Sequence, residues 1–232
     1  MELFYNIAGL TVKMDTFGRT LVQSRPYLCA SAEPDITIHT DWRFLQKSQP
    51  HLSAEDCEYM QTGTEFYKQL LRKDGIMLHA SAVVVDHRAY LFSAPSGTGK
   101  STHTQLWLKK FGPRAYLLND DKPALRRIDG TWYAFGTPWS GKCDLSVNRQ
   151  VPVAGICFLQ RGEENRISPL HGAQAVFSFL EQTVRPAERE LRETILELLE
   201  DLLGHVPVWK LSCNMDPASA DLSYDAMSLN FF

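Results

Sequence analysis

The chain has 232 residues, of which 44% are apolar and 22% are charged, and its formal net charge is −3. These values are typical of a soluble globular protein and give no sign that nucleic acid or an anionic membrane is its partner. The first residues, MELFYNIAGL, lack the pattern of a signal peptide, and no apolar run approaches the ~20 residues that span a bilayer. We therefore expect a cytoplasmic protein with no membrane partner. Five scattered cysteines predict reduced thiols.

The N-terminal segment, residues 1–52, contains short extended stretches separated by turn formers. The stretches are LFYNIA, LTVKM and DITIH. We expect a β-rich N-terminal portion packed on the core, followed by an α/β domain over residues 53–232. A short helix is predicted at residues 64–75, TEFYKQLLRKDG, because its apolar residues recur at helical spacing.

From residue 76 onward the patterns predict strands that alternate with helices, an order typical of an α/β core. The predicted strands are IMLHASAVVVD (76–86), AYLFSA (89–94), AYLLND (115–120), the hairpin ALRRIDGTWYAFG (124–136), VPVAGICFL (151–159) and VPVWKLSC (206–213). The predicted helices are KSTHTQLWLKKF (100–111), AQAVFSFLEQTV (173–184), PAERELRETILELLEDLLG (186–204) and PASADLSYDAMSL (217–229). Asp129-Gly130 is a pair favoured at hairpin turns.

A candidate phosphate-binding loop follows the second of these strands. The loop matches G-x-x-x-x-G-K-[ST], except that Ala94 replaces the first glycine. Lys100 is expected to bind the β- and γ-phosphates and Ser101 to bind Mg²⁺, with the following helix directing its N-terminus at the same anion. The predicted nucleotide-binding residues are Ser96, Gly97, Thr98, Gly99, Lys100, Ser101 and Thr102. The alternative is a glycine turn that caps a helix.

A pair of carboxylates, Asp120 and Asp121, ends the third strand in LLNDDK. Ligands of open α/β sheets bind beyond the carboxyl ends of strands, where this pair lies. Since adjacent strand residues point to opposite faces, one aspartate can serve Mg²⁺ and the other the acceptor. We predict Asp120 as the metal ligand. The alternative is an acidic turn that pairs with Lys122.

Two further features complete the candidate site. His79 lies in a strand that leads by a short turn into the strand before the loop, so it is either near the γ-phosphate or a core histidine. The segment TPWSGK offers hydroxyls, a cation and a flat ring that could hold an acceptor. Its tentative substrate residues are Thr137, Trp139, Ser140 and Lys142. The alternative for this segment is a turn with the tryptophan as a packing anchor.

Residues 76–145 resemble the HPr kinase/phosphorylase family and the related phosphoenolpyruvate carboxykinase-like P-loop proteins. His79, the loop APSGTGKST and the pair NDD carry the resemblance. It implies an α/β fold with a mixed β-sheet P-loop core of the carboxykinase type. It also implies that Lys100 and Ser101 bind phosphate and Mg²⁺, that Asp121 takes the acceptor's proton, and that His79 neighbours the γ-phosphate. The segment GTPWSGKCDLS resembles that of small bacterial HPr-kinase-like proteins.

These features predict an ATP-dependent kinase that uses Mg²⁺ and transfers the γ-phosphoryl group to a hydroxyl. The acceptor is left open among a protein serine, a peptide and a small molecule, and no pattern indicates an oligomeric state. The alternative function is a nucleotide-binding regulatory or scaffold protein without transfer activity. Measuring ATP turnover beside ATP binding separates the two.

Overall fold

A computed structural model describes residues 3–228, which form a mixed α/β fold. The helices are α1 (Gly18–Ser24), α2 (Trp42–Ser48), α3 (Ala54–Leu70), α4 (Lys100–Phe111), α5 (Gly172–Glu181), α6 (Arg189–His205) and α7 (Ala218–Ser228). The strands are β1 (Leu3–Ile7), β2 (Leu10–Met14), β3 (Ile36–Ile38), β4 (Gly75–Met77), β5 (Ala80–Val85), β6 (Arg88–Ser93), β7 (Ala115–Asn119), β8 (Ala124–Ile128), β9 (Thr131–Phe135), β10 (Gln150–Arg161), β11 (Arg166–Pro169) and β12 (Val208–Cys213). Residues 1–2 and 229–232, which include the last residue of the predicted helix 217–229, lie outside the described part.

A mixed sheet of nine strands occupies the centre of the fold, in the order β4-β8-β9-β10-β6-β5-β7, with β12 beside β10 and β11 beside β12. The long strand β10 joins the two parts of this sheet. Its first residues pair antiparallel with β9, and its later residues pair parallel with β6 and β12. Since β5 runs antiparallel to both β6 and β7, the carboxyl ends of β6, β7, β10 and β12 lie at one edge.

Helices cover both faces of this part of the sheet. Within β5, Val83 belongs to the apolar cluster that contains Trp107 of α4. The next residue, Val84, belongs to the cluster that contains Phe179 of α5 and Leu199 of α6. Every residue of β5 is buried, which explains why five of its six residues are apolar and do not alternate with polar ones.

The N-terminal segment forms a separate three-stranded sheet, β1-β2-β3, that packs on α3. Tyr5 and Val12 of this sheet share one apolar cluster with Phe66 of α3 and with Trp139. The segment also contains α1 and α2, which the sequence patterns did not indicate. Both are seven residues long, and α2 has no buried residue that would set an apolar period. The domain boundary after residue 52 stays a prediction.

Most elements predicted after residue 76 are confirmed. Helix α4 spans the predicted residues 100–111, and the β8–β9 hairpin turns at Asp129 and Gly130, which both have positive φ angles. Helix α3 begins at Ala54 rather than at residue 64, because Ser53 caps it by accepting a hydrogen bond from the Asp56 amide. Strand β11 was not predicted.

The single strand predicted over residues 76–86 is wrong in one respect, since it divides into β4 and β5. The two parts pair with different neighbours: β4 lies beside β8, whereas β5 lies between β6 and β7. The chain therefore leaves one part of the sheet and enters the other at Leu78 and His79. This break places His79 at the same edge as the carboxyl ends of β6 and β7.

Candidate functional site

The predicted loop, aspartate pair and histidine meet at one edge of the sheet. Ala80 at the start of β5 pairs with Ser93 at the end of β6, and Ala82 pairs with Asn119 at the end of β7. A cavity of about 340 Å³, which we call the phosphate cavity, opens at this edge. Its lining residues are His79, Ser96, Gly97, Gly99, Lys100, Ser101, Thr102, Asp120, Asp121, Ser140, Gly141, Lys142 and Cys143.

The loop between β6 and α4 takes a backbone course that requires glycine at two positions. Gly97 has φ +77° and Gly99 has φ +121°. A Cβ atom at either position would meet nothing within 4 Å, so the backbone angles, and not crowding, favour glycine there. Ala94 is buried and does not have a positive φ angle, so alanine fits this position without backbone strain.

Helix α4 begins directly after this loop, with Gly99 as its N-cap residue and no side chain capping its first turn. The first amide groups of a helix have no partner within the helix, and the helix dipole adds partial positive charge there. The start of α4 therefore offers donors to an anion in the phosphate cavity.

Lys100 lies at the floor of the cavity, 8% exposed. Its Nζ donates to the carbonyl oxygen of Ala94 at 2.8 Å, which folds the side chain back along the loop. Burial lowers the pKa of Lys100, and the charges of Asp121 and Asp120 partly oppose this shift. An anion bound in the cavity would add a further opposite charge and favour the protonated amine.

Asp120 is held on the α4 side of the cavity. Its Oδ1 accepts a hydrogen bond from Ser81 Oγ at 2.6 Å, and Ser101 Oγ lies 3.2 Å from both of its carboxylate oxygens. Ser81 is in turn 3.1 Å from Thr104 Oγ1 of α4. A carboxylate and a hydroxyl in contact are hard oxygen ligands of the kind Mg²⁺ takes together with substrate phosphates.

Asp121 faces a different set of partners. His79 Nε2 lies 3.3 Å from its Oδ1, and Lys122 Nζ contacts its Oδ2. Burial raises the pKa of Asp121, but the hydrogen bond from His79 and the charge of Lys122 outweigh burial and lower the pKa overall. His79 is itself oriented by Gln182, whose Oε1 lies 3.0 Å from Nδ1. Asp121 is therefore ionised at neutral pH.

Asn119 anchors the turn that carries Asp121, although the sequence patterns did not single it out. Its side chain is fully buried, and its Oδ1 accepts from the backbone amides of Asp121 at 3.0 Å and Lys122 at 2.8 Å. Its Nδ2 donates to the Thr137 carbonyl at 3.0 Å. An asparagine before a strand-end turn often bonds the backbone two residues on, so this role had a local signal.

The loop opposite the phosphate-binding segment, residues 138–144, is fixed by the N-terminal half of the chain. The Gly141 amide donates to Tyr59 Oη at 3.0 Å, and its carbonyl accepts from Gln23 Nε2 at 3.1 Å. Gly141 has φ +75°, and a Cβ atom there would lie 3.0 Å from the Asp121 Cβ. These contacts are distant in sequence, so no local pattern could have indicated them.

The structure brings most predicted site residues to the phosphate cavity and separates three from it. Trp139 is fully buried, stacks on Phe66 at 4.8 Å and donates to Thr62 Oγ1. Thr137 is also fully buried and donates to the carbonyl of Lys122 at 2.8 Å. Neither lines this cavity, whereas Ser140 and Lys142 do. Thr98 lines a neighbouring cavity instead.

That neighbouring cavity has a volume of about 480 Å³ and shares the loop with the phosphate cavity. Its lining residues are Gly97, Thr98, Gly99, Thr102, His103, Leu106, Leu159, Arg161, Gly162, Cys213, Asn214 and Met215. Arg161, at the end of β10, donates to the Gly97 carbonyl at 2.6 Å. The two cavities share Gly97, Gly99 and Thr102 of the loop, and the lining of the neighbouring cavity is the more apolar of the two.

The fold and these cavities define a mixed α/β protein in which a glycine-containing loop joins a strand to a helix. The chain belongs to the family described as SynChlorMet cassette protein ScmC, whose model matches residues 52–218. No curated protein matches the chain. Among solved structures, it is similar to the HPr(Ser) kinase/phosphatase from Coxiella burnetii, with 16% identity and a TM-score of 0.35, over 66% of this chain and 94% of that chain. The carboxykinase-type core stays a prediction.

Residues 3–228 contain no group of three or more His, Cys, Asp or Glu side chains that could together hold a metal ion. None of the helices described is long and apolar enough to cross a membrane.

Proposed function

We propose that this protein is an ATP-dependent phosphotransferase that moves the γ-phosphoryl group to a hydroxyl. The observation that carries the proposal is that groups of different chemistry surround one cavity. The start of α4 and Lys100 face it from below, Ser101 and Asp120 touch each other on one side, and Asp121 lies with His79 on the other. Each part matches a role that phosphoryl transfer requires.

The nucleotide would lie across both cavities. The loop amides and Lys100 bind the phosphates, with Lys100 Nζ exchanging the Ala94 carbonyl for phosphate oxygens. The neighbouring cavity, which Leu106, Leu159 and Met215 line, takes the ribose and base. An apolar cavity favours a planar ring. The same placement therefore suits the base of ATP and the bases of other nucleoside triphosphates.

Ser101 and Asp120 would hold Mg²⁺, because they place a hydroxyl and a carboxylate 3.2 Å apart beside the phosphate-binding loop. When bound, this ion supplies charge neutralisation for the transferring phosphoryl group. Ser81 keeps the Asp120 carboxylate in that position through its 2.6 Å hydrogen bond.

Asp121 would accept the proton of the acceptor hydroxyl. The acceptor oxygen forms a bond to the γ-phosphorus while the bond from the γ-phosphorus to the bridging oxygen breaks, so that ADP leaves. His79 and Gln182 hold the carboxylate of Asp121 in its orientation. Because the pKa of Asp121 is lowered, the carboxylate is in its proton-accepting form at neutral pH.

One observation favours a second function, a nucleotide-binding regulatory protein without transfer. Lys122 contacts the Asp121 carboxylate, and His79 contacts its other oxygen. Both oxygens are thereby engaged, and a carboxylate with a lowered pKa is a weaker base. In this case the aspartate pair would take part in nucleotide binding and would not activate an acceptor.

Substitutions at the two aspartates distinguish these functions. Asp121→Asn keeps the shape and removes the proton acceptor, so we expect Mg-ATP affinity to survive and turnover to fall about a hundredfold or more. Asp120→Asn should instead weaken Mg-dependent ATP binding. The exposed Asp225→Asn is the matched control. Binding is measured by calorimetry, and turnover by release of ADP with a panel of hydroxyl acceptors. Normal turnover in both site variants would refute the proposed chemistry.

A further inference from the structure

A further cavity is lined in part by Lys122, which follows Asp121 in the chain. This space, which we call the aromatic cavity, has a volume of about 270 Å³. Its lining residues are Tyr59, Met60, Gly63, Thr64, Tyr67, Met77, Lys122, Trp139 and Val184. Tyr67 and Trp139 are fully buried and meet edge-to-face at 5.5 Å. Met60 and Thr64 of α3 are exposed at its rim.

The aromatic cavity adjoins the phosphate cavity through two contacts. Lys122, which lines the aromatic cavity, contacts the carboxylate of Asp121, which lines the phosphate cavity. Tyr59, another lining residue, accepts the hydrogen bond from the Gly141 amide, and Gly141 lines the phosphate cavity. A ligand at Asp121 therefore lies next to the aromatic cavity.

The walls of the aromatic cavity have few free polar groups. Tyr67 Oη contacts the Lys122 carbonyl and lies 3.0 Å from Thr137 Oγ1. Trp139 Nε1 donates to Thr62 Oγ1 at 3.2 Å, and Thr64 Oγ1 donates to the Met60 carbonyl at 2.8 Å. A sugar or polyol placed here would bury hydroxyls without partners, which is unfavourable, whereas an apolar group would not.

We propose that the aromatic cavity is the specificity subsite for the acceptor, and that the acceptor carries one bulky apolar group, aromatic by preference, close to its hydroxyl. This assignment rests on the phosphotransferase function proposed above. The volume is slightly below the ~300–1,000 Å³ of pockets that enclose whole small ligands, so the cavity accommodates a single side group. Aromatic rings in its walls favour offset or edge-to-face contact with a ring in that group.

The contact between Lys122 and Asp121 limits the spacing within the acceptor. The Lys122 side chain lines the aromatic cavity and touches the carboxylate of Asp121, which lines the phosphate cavity. An acceptor that presents its hydroxyl to Asp121 and its apolar group beside Lys122 therefore needs only a few bonds between the two. A serine or threonine adjacent to an aromatic residue in a peptide has this chemistry, and so does a free aryl-alkyl alcohol.

A different cavity is an alternative binding place for the acceptor's side group. A cavity of about 430 Å³ lies beside α5 and reaches Gln182, the partner of His79. Its walls include Gln160, Gln174, Glu181 and Lys210. Its walls also include Phe158, Leu170 and Phe177, so an aromatic group could bind here as well. Filling this α5 cavity is therefore a matched control for filling the aromatic cavity.

The test measures binding of probes by calorimetry in the absence of nucleotide, so that its result does not depend on ATP chemistry. The aromatic probes are 3-phenyl-1-propanol and N-acetyl-seryl-phenylalaninamide, and the polar probes are glycerol and N-acetyl-seryl-glycinamide. We expect each aromatic probe to bind at least about tenfold more tightly than its polar counterpart. Whichever aromatic probe binds more tightly identifies a free alcohol or a peptide as the source of the acceptor.

Variants then locate the bound ring. Thr64→Trp should weaken the aromatic probes about tenfold or more, while Thr64→Val and the α5-cavity variant Ser178→Trp should leave their affinity within about twofold. Met60→Trp at the exposed rim replaces Thr64→Trp if the latter does not fold. Equal binding of aromatic and polar probes, or weakening by Ser178→Trp alone, would overturn the assignment. ATP turnover is measured separately in the same variants, so its absence would refute the phosphotransferase function without affecting the binding result.

Discussion

Replacing Asn119 with alanine tests how the aspartate pair is held. The Asn119 side chain is fully buried and joins two backbone amides, those of Asp121 and Lys122, to the Thr137 carbonyl. A typical hydrogen bond contributes about 1 kcal/mol net, and a buried donor left without a partner costs about 1–3 kcal/mol. Losing these three bonds should therefore lower the free energy of unfolding by about 3 kcal/mol.

Urea denaturation followed by circular dichroism measures this change, with Asn148→Ala as the control. Asn148 is exposed and makes one long hydrogen bond, 3.4 Å to the Pro26 carbonyl, so its loss should cost less than about 0.5 kcal/mol. Mg-ATP affinity should fall in Asn119→Ala, since the turn that carries both aspartates is released. Stability within about 0.5 kcal/mol of wild type would refute the anchoring role of Asn119.

Two further predictions concern the loop and the pH dependence of stability. Ala94→Gly should leave Mg-ATP affinity within about tenfold in calorimetry, because Ala94 has no positive φ angle, and a much larger gain would show that alanine strains the loop. Burial raises the pKa of Glu58 to about 7 against an ordinary value of 4.5, although the hydrogen bond from Thr20 opposes this. The folded state thus holds this proton more tightly, and the wild type should lose about 3 kcal/mol of stability as pH rises from about 4.5 to above 7, at about 1.4 kcal/mol per pKa unit. Glu58→Gln should lack this loss in urea denaturation at pH 5 and pH 8, and an equal loss in the variant would contradict the assignment to Glu58.

The local parts of the candidate site were predictable from sequence because their signals are short-range. The glycines at 97 and 99 precede a helix of clear periodicity, and the aspartates end an apolar strand. Both patterns depend on backbone preferences within about ten residues. The structure confirms helix α4 and strand β7 at these places.

The remaining parts depend on long-range packing and could not be predicted. The segment TPWSGK was open to two interpretations, a loop that holds the acceptor or a turn with Trp139 as a packing anchor, and only the fold shows that this ring stacks on Phe66 of α3. Gln182 reaches His79 across 103 positions, and Gln23 reaches Gly141 across 118. No local sequence pattern predicts such contacts, because only the fold brings these residues together.

Binding of Mg-ATP to wild type and Lys100→Ala, measured side by side by calorimetry, tests the central claim most directly. Lys100 is the buried cation at the floor of the phosphate cavity, and Lys109, exposed near the end of the same helix, provides the matched control Lys109→Ala. The account predicts that wild type and Lys109→Ala bind equally and that Lys100→Ala binds at least about tenfold more weakly, or about 1.4 kcal/mol. Unchanged affinity in Lys100→Ala, or no binding of Mg-ATP by the wild type, would contradict it.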